Sequence, residues 1–249
     1  MTNFWKLVNK IIHEADIVME VLDARLIEET RNKEIEEKIT KAGKQILYVI
    51  TKCDLVEKEI LEKQKKIIQP SIFISATKHY GTSMLLQKIM QIAKGEEVTV
   101  AVVGYPNVGK SSVINALRGR KSAGVSSISG YTTGLQKVRI NKKVLLIDSP
   151  GVYAYLENDD LRFALVGSKD VNKIKDPELV ALTVIEMFLK NERKKVLEEK
   201  YGITINEEDS EEILEKITIQ KNKVKKGNEP DTQTMAKIIV RDWQEGKLR

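Results

Sequence analysis

The stretch GYPNVGKS, residues 104–111, places the strongest constraint on what this chain folds into. It follows a run rich in valine, residues 98–103, and opens a segment with helical periodicity, residues 110–118. Such a position, between a strand and a helix, is the one in which the pattern G-x-x-x-x-G-K-S forms a phosphate-binding loop, because glycines let successive backbone N–H groups face phosphate oxygens. We therefore predict that this loop binds the phosphates of a nucleotide rather than forming an ordinary glycine turn.

Several residues of the phosphate loop have predicted roles. Lys110 supplies a positive charge to the β- and γ-phosphates and acts in catalysis, and the hydroxyl of Ser111 is a ligand of magnesium. The further nucleotide contacts are assigned to Asn107, Val108, Gly109 and Ser112.

The rest of the first 155 residues alternates short apolar runs with amphipathic stretches, which is typical of an α/β fold with a mostly parallel sheet. Six strands are predicted, at 16–24, 45–50, 71–75, 98–104, 136–140 and 143–149. The predicted helices between them are 30–41, 56–67, 82–94 and 110–118.

A second phosphate-site motif is VLLIDSPG, which ends in Gly151. Asp148, at the end of an apolar strand, is predicted to reach the magnesium ion, and Gly151 to offer its backbone N–H to the γ-phosphate in catalysis. Between this motif and the phosphate loop lies the polar stretch SSISGYTTG, 126–134, which has the composition of a switch loop. Thr132 is the candidate magnesium ligand and catalytic residue there, with Thr133 as the alternative.

The tetrapeptide TKCD, residues 51–54, follows the second strand, and the tripeptide SAT, residues 75–77, follows the third. The carboxylate of Asp54 can accept hydrogen bonds from N1–H and the 2-amino group of guanine, which adenine cannot offer. Lys52 can lay its aliphatic stem along the base, and Ala76 can donate its backbone N–H to guanine O6. We assign Thr51, Ser75 and Thr77 to the same base-binding site.

Beyond residue 155 the strand pattern ends and helical spacing takes over, so two domains are predicted, 1–155 and 156–249. Asp176 and Pro177 have the sequence of a helix cap and first turn. A basic run, 221–227, is interpreted either as a solvated loop or as an RNA contact. The net charge of +6 favours an anionic partner.

The composition excludes membrane-spanning and disulfide-bonded classes of protein. No apolar run approaches the length needed to cross a bilayer, and a single cysteine cannot form an intramolecular disulfide. We expect a monomeric cytoplasmic protein without membrane contact.

The order of these motifs, base recognition, phosphate loop and then switches, resembles that of the circularly permuted GTPases that assist assembly of the large ribosomal subunit. ADIVMEVLDAR (15–25), GYPNVGKSSVINAL (104–117), DSPGV (148–152) and IIVRDWQEGK (238–247) all look like that family. The resemblance implies hydrolysis of GTP to GDP, magnesium as cofactor, and pre-ribosomal particles with their rRNA as partner. It also implies a potassium ion beside Asn107, and a helical docking domain whose movement follows the nucleotide state.

The chain departs from other GTPases at two positions. Val152 stands where Ras-like GTPases have the glutamine that positions water, and Thr51 replaces the customary asparagine. We therefore expect slow basal hydrolysis that the ribosomal particle stimulates, and weaker affinity for the base. An RNA-binding scaffold with a decayed GTPase site is the alternative. A GTP-regulated enzyme or membrane-linked protein is a third hypothesis, which no lipidation signal supports. DAR (23–25) is interpreted as a buried salt bridge at a strand end.

Overall fold

The computed structural model describes residues 3–119, 136–149, 160–206 and 209–249. The chain divides into two compact units, Met1–Glu157 and Asn158–Arg249. Within the described ranges, no helix is long and apolar enough to cross a membrane.

The first unit alternates strands and helices along the chain. Its described strands are β1 (Ile17–Asp23), β2 (Gln45–Thr51), β3 (Ser71–Phe73), β4 (Val98–Val103), β5 (Gln136–Arg139) and β6 (Val144–Asp148). Its described helices are α1 (Asn3–Glu14), α2 (Ile27–Thr30), α3 (Lys33–Lys41), α4 (Lys58–Ile67), α5 (Thr82–Ile92) and α6 (Lys110–Gly119).

The six strands form one sheet in the order β3-β2-β1-β4-β6-β5. All neighbouring pairs are parallel except β5 and β6, which run antiparallel. Every residue of β1 is buried, as expected for a central strand covered on both faces. The prediction of a mostly parallel six-stranded α/β sheet is therefore confirmed.

The predicted helix 30–41 begins only at Lys33 in the structure, as α3, because the short helix α2 ends at Thr30 just before it. The side chain of Asn32 caps α3 by accepting a hydrogen bond from the backbone N–H of Ile35 at 3.1 Å. An asparagine at this position favours a non-helical backbone and satisfies a free N–H of the new helix, so the chain turns between α2 and α3.

The second unit is helical. Its described helices are α7 (Asp160–Leu165), α8 (Pro177–Lys190), α9 (Lys194–Tyr201), α10 (Ser210–Gln220) and α11 (Thr232–Gln244). The side chain of Asp176 accepts a hydrogen bond from Leu179 N–H at 3.0 Å, which confirms the predicted cap of α8. In the core, Trp243 packs edge-on against Phe188, and its indole N–H donates to the carbonyl oxygen of Leu165 at 2.8 Å.

Two features of this unit differ from the sequence interpretation. The stretch 176–202 has helical spacing throughout in the sequence but forms two helices, and α8 ends at Lys190 because Glu192 has a left-handed backbone with φ of 55°. Helix α10 begins within the acidic stretch NEEDSEE, 206–212, and ends just before the basic run 221–227, where no helix is assigned from sequence. Its N-cap is Asp209, whose carboxylate accepts from the Glu211 N–H at 2.7 Å.

Candidate functional site: a nucleotide-binding edge

The candidate site lies where four parallel strands end at one edge of the sheet. The strands β1, β2 and β6 end at Asp23, Thr51 and Asp148, and β4 leads directly into Gly104. The carboxyl edge of a parallel sheet is the usual position of ligand sites in α/β folds. The fold therefore brings the TKCD and GYPNVGKS motifs and Asp148 to the same edge, although 53 positions separate Thr51 from Gly104 in the sequence.

The backbone of the phosphate loop requires glycine at Gly104. Its φ is 152°, and a Cβ added there would lie 2.6 Å from the carbonyl oxygen of Val21. Gly109, with φ of 109°, is also close-packed, because an added Cβ would meet Thr51 Oγ1 at 3.3 Å. The loop is thus fitted tightly against β1 and the end of β2.

Lys110 begins α6 and is buried at the base of the loop. Its ammonium group donates hydrogen bonds to the carbonyl oxygens of Gly104 at 2.8 Å and Tyr105 at 2.7 Å. Burial lowers the pKa of Lys110 to about 8, and the negative charge of Asp148 only partly opposes this shift. A poorly solvated cation at the start of a helix suits a phosphate ligand.

The other predicted loop residues occupy positions consistent with nucleotide contact. Val108 is fully buried, whereas the side chains of Ser111 and Ser112 are exposed in the first turn of α6. Asn107 is exposed and has a left-handed backbone with φ of 62°.

Two oxygen-bearing side chains at the candidate site are of the kind that binds magnesium. The Ser111 hydroxyl and the half-buried carboxylate of Asp148 are oxygen ligands, and magnesium needs few of these because it keeps several waters. Burial raises the pKa of Asp148, and the neighbouring Lys110 ammonium counteracts that effect. A divalent cation would favour the ionised form further.

Thr51 connects the base-binding loop to the phosphate loop. Its hydroxyl lies 2.9 Å from the carbonyl oxygen of Leu22 and still closer to that of Val108. A hydroxyl has one hydrogen, so the two carbonyl oxygens share it or compete for it. This residue stands where an asparagine is customary, and its side chain makes a direct contact with the phosphate loop.

The structure brings TKCD and SAT together. Residues Cys53–Leu55 form a 3₁₀ turn, and the backbone N–H of Cys53 donates to the carbonyl oxygen of Ile74 at 3.3 Å. The Thr77 hydroxyl lies 3.4 Å from Asp54 Oδ2 and 3.1 Å from the Ser75 hydroxyl. Ala76, half-buried between Ser75 and Thr77, completes this pair of loops.

Profiles of two GTPase families match the sequence. Residues 99–226 match the family described as 50S ribosome-binding GTPase, and residues 8–156 match the family described as RsgA GTPase. Each match covers more than half of the chain, and the base-binding loop precedes the phosphate loop. The chain belongs to the circularly permuted ribosome-biogenesis GTPases.

Individual relatives support this membership. An uncharacterized GTP-binding protein of Methanocaldococcus jannaschii is 42% identical over 247 residues, which are 98% of this chain and 65% of that protein. Nucleolar GTP-binding protein 2 of Saccharomyces cerevisiae is 33% identical over 260 residues, covering 98% of this chain and 52% of the relative. The chain thus spans between about half and two thirds of the length of these relatives.

Two solved structures share the fold of this GTPase. The GNP-bound form of YlqF from T. maritima matches with a TM-score of 0.60 at 20% identity, over 98% of this chain and 94% of that one. The GDP-bound form of YlqF matches with a TM-score of 0.62, also at 20% identity, over 97% and 95% of the two chains. This likeness confirms the circularly permuted fold.

Some predicted residues of this GTPase lie outside the described residues, namely Thr132, Thr133, Gly151 and Val152. Their assigned roles in magnesium binding, γ-phosphate contact and water positioning stay predictions.

Sequence reasoning recognised only part of the cluster around Asp23. The predicted salt bridge with Arg25 is present, with Nη2 of Arg25 2.7 Å from Oδ2 of Asp23. The same oxygen also receives a hydrogen bond from the Lys52 ammonium at 2.7 Å. Because 29 positions separate Asp23 from Lys52, only the parallel pairing of β1 with β2 brings them together.

Proposed function

We propose that this GTPase hydrolyses GTP to GDP and phosphate and acts as an assembly factor for the large ribosomal subunit. One observation carries the proposal. A guanine-type base loop around Asp54 and a phosphate loop around Lys110 lie at one edge of a parallel sheet, joined through Thr51 and Val108. Matches to a 50S ribosome-binding GTPase profile and to nucleolar GTP-binding proteins support the ribosomal part.

Base recognition follows from the two adjacent loops. Asp54 accepts hydrogen bonds from guanine N1–H and the 2-amino group, and the backbone N–H of Ala76 donates to O6. The contacts between Ser75, Thr77 and Asp54 hold the loops in register for this task. Adenine would leave the carboxylate without donors, which is how such a site rejects ATP.

Phosphate binding uses the loop and the start of α6. Lys110 exchanges its contacts with the Gly104 and Tyr105 carbonyl oxygens for phosphate oxygens, which solvate its charge better. Ser111, Asp148 and Thr132 or Thr133 would hold magnesium, which would supply charge neutralisation at the β- and γ-phosphates. Potassium at Asn107 would add a second cation.

Hydrolysis is expected to be slow in the isolated protein. Val152 has no group that orients the attacking water, so the ribosomal particle is proposed to supply or induce that arrangement. Gly151 and the switch threonine are proposed to sense the γ-phosphate. The chain runs from this motif directly into the second unit, through which nucleotide state is proposed to reach the docking surface.

The second unit is proposed to dock on rRNA through the basic run 221–227. This run follows α10 as a turn closed by a bridge between Val224 and Pro230, with the Lys225 N–H donating to the Glu229 carbonyl oxygen at 2.8 Å. Lys225 and Lys226 are exposed on it. A fixed turn presents its cations to phosphates at a lower entropic cost than a flexible loop.

The test is the GTPase rate with and without purified large ribosomal subunits, together with gradient co-sedimentation in GTP, GDP and a non-hydrolysable analogue. Stimulated hydrolysis and nucleotide-dependent co-sedimentation are expected. Binding to the particle without any hydrolysis would favour the RNA-binding scaffold instead, and absence of both would refute the proposal.

A further inference from the structure

The carboxylate of Asp23 is the centre of a buried cluster at the end of β1. Its Oδ1 accepts hydrogen bonds from the backbone N–H and the Nε of Arg25, both at 3.0 Å. Its Oδ2 accepts from Arg25 Nη2 and Lys52 Nζ, both at 2.7 Å. The side chain of Asp23 is completely buried, and that of Arg25 is 3% exposed.

This carboxylate is permanently charged and fixed in position. Burial alone would raise its pKa, but the cations of Arg25 and Lys52 outweigh burial and lower the pKa of Asp23 to about 2. The backbone N–H of Asp23 donates to the hydroxyl of Thr30 at 3.1 Å, which ties the end of β1 to α2. The carboxylate of Asp23 is therefore held in a fixed position, and its charge is balanced mainly by Arg25.

Lys52 is held at both ends. Its backbone is left-handed, with φ of 56° and ψ of 30°, and its carbonyl oxygen accepts from Leu55 N–H at 2.9 Å in the 3₁₀ turn. Its ammonium group is bound to Asp23, and its side chain is 24% exposed. The aliphatic stem between these two ends consequently has little rotational freedom.

The position of the stem matters because Thr51, which contacts the phosphate loop, directly precedes Lys52, and Asp54, the proposed reader of the base edge, follows two positions later. In the proposed function, Asp54 binds the edge of the base and the stem of Lys52 lies along its face. We propose that Asp23 is a positioning residue for guanine binding, which orders the Lys52 stem as a platform for the base without touching the nucleotide. This inference rests on the proposed function.

The physical reason is the entropy of a lysine side chain. A free lysine loses most of its rotamer freedom when a ligand packs on it, and that loss weakens binding. An ion pair formed in advance removes most of this cost. Because the base is the same in GTP and GDP, both affinities depend on Asp23 equally, whereas the choice between guanine and xanthine depends on Asp54.

The test is a double-mutant cycle on the full chain, with N-methylanthraniloyl-GDP as the fluorescent probe. The variants are Asp23→Asn, Lys52→Met, which keeps a hydrocarbon stem without the ammonium, and their combination. We expect Asp23→Asn to raise the Kd about tenfold in the wild-type background and less than twofold in the Lys52→Met background. The ratio of affinities for GDP and xanthosine diphosphate should stay unchanged, and KM for GTP should rise without a fall in kcat.

Glu20→Gln is the matched control, because Glu20 is also a completely buried carboxyl residue of β1 but lies on the opposite face of the strand. It should leave the Kd unaltered. An equal loss of affinity from Asp23→Asn in both backgrounds would overturn the inference and leave Asp23 a purely structural residue. If Asp23→Asn fails to fold, Lys52→Met carries the test alone, and a Kd equal to that of the wild type would refute the inference. Failure of the wild-type protein to bind the probe would instead refute the proposed function.

Discussion

The hydroxyl of Thr51 contacts the carbonyl oxygen of Val108, a residue 57 positions later in the chain. Thr51 ends the strand that leads into the base-binding loop, and Val108 lies inside the phosphate loop. One side chain therefore joins the parts of the site that recognise opposite ends of a nucleotide. It also packs against Gly109, whose missing side chain leaves room for it.

Replacing Thr51 by valine should weaken nucleotide binding. Thr51→Val keeps the shape but removes the hydrogen-bond donor to Val108 and Leu22, which leaves two buried carbonyl oxygens poorly satisfied at a cost of about 1–3 kcal/mol in free energy of unfolding. We expect a lower Tm and a several-fold higher Kd for GDP, measured by calorimetry and fluorescence titration.

Thr218→Val is the control for this experiment. Its buried hydroxyl donates to the Leu214 carbonyl oxygen at 2.7 Å in α10, remote from the nucleotide site in sequence. It should change stability without changing GDP affinity. A Thr51→Val protein that binds GDP as tightly as the wild type would contradict the proposed link between the loops.

Gly104→Ala should abolish nucleotide binding. The new methyl group would lie 2.6 Å from the carbonyl oxygen of Val21, and the φ of 152° disfavours any residue with a Cβ. Because the obstacle is backbone of the central strand, the phosphate loop must shift, so no measurable GDP binding is expected by isothermal titration. Gly119→Ala, at the end of α6 where an added Cβ meets nothing within 4 Å, should bind normally. Normal binding by Gly104→Ala would show that the loop geometry is not required.

The buried Glu20 and the half-buried Glu36 predict pH-dependent stability. Burial raises the pKa of Glu20 well above its usual value, and the adjacent Glu36 charge adds to this. Burial also favours protonation of Glu36, but hydrogen bonds from Arg31 and Tyr48 outweigh it and lower its pKa. Glu20, whose Oε1 accepts from the Asn32 N–H at 2.9 Å, is therefore the carboxyl group of the two that favours its protonated form.

Glu20→Gln should make stability less dependent on pH. A raised pKa in the folded state stabilises the wild type fully below the unfolded pKa, and this contribution is lost as pH rises through the folded pKa, at about 1.4 kcal/mol per pH unit. The amide does not titrate, so the Tm of the variant relative to that of the wild type should rise as pH increases above the ordinary pKa of glutamate. Thermal unfolding across this range measures the effect. If the Tm values of the two proteins changed in parallel with pH, the pKa of Glu20 would not be raised on folding.

Neutralising the basic run should weaken binding to the ribosomal particle. The triple change Lys223→Gln, Lys225→Gln and Lys226→Gln removes up to three phosphate contacts. The slope of log K against log salt concentration should then become shallower by about 2 to 3. Co-sedimentation with large subunits at several salt concentrations measures it.

The matched control for charge is the triple change Lys58→Gln, Lys65→Gln and Lys66→Gln on the exposed surface of α4. It alters net charge equally and should leave the slope unchanged. Equal effects from both triple variants would indicate a general charge effect rather than a docking surface.

Fold class and much of the site followed from local patterns. A strand before Gly104 and a helix after Lys110 are visible in the periodicity of the residues, and the spacing of the glycines and the lysine reflects backbone geometry that is itself local. The nearness of Asp54 to Thr77 also followed, because parallel strands that end in polar loops bring those loops to one edge of the sheet.

The contacts that decide how the site works depend on the tertiary structure. The sequence by itself determined an α/β nucleotide-binding fold with its base loop ahead of its phosphate loop. Periodicity and motif order are properties of the sequence alone and do not depend on contacts between distant residues. Only the tertiary structure showed that Lys52 is bound to Asp23, that Thr51 reaches Val108, and that Glu20 is buried, which raises its pKa. The first two are contacts between residues far apart in sequence, and the third is the burial of a side chain. Such contacts and burial arise only when β1, β2 and β4 pair in a definite register.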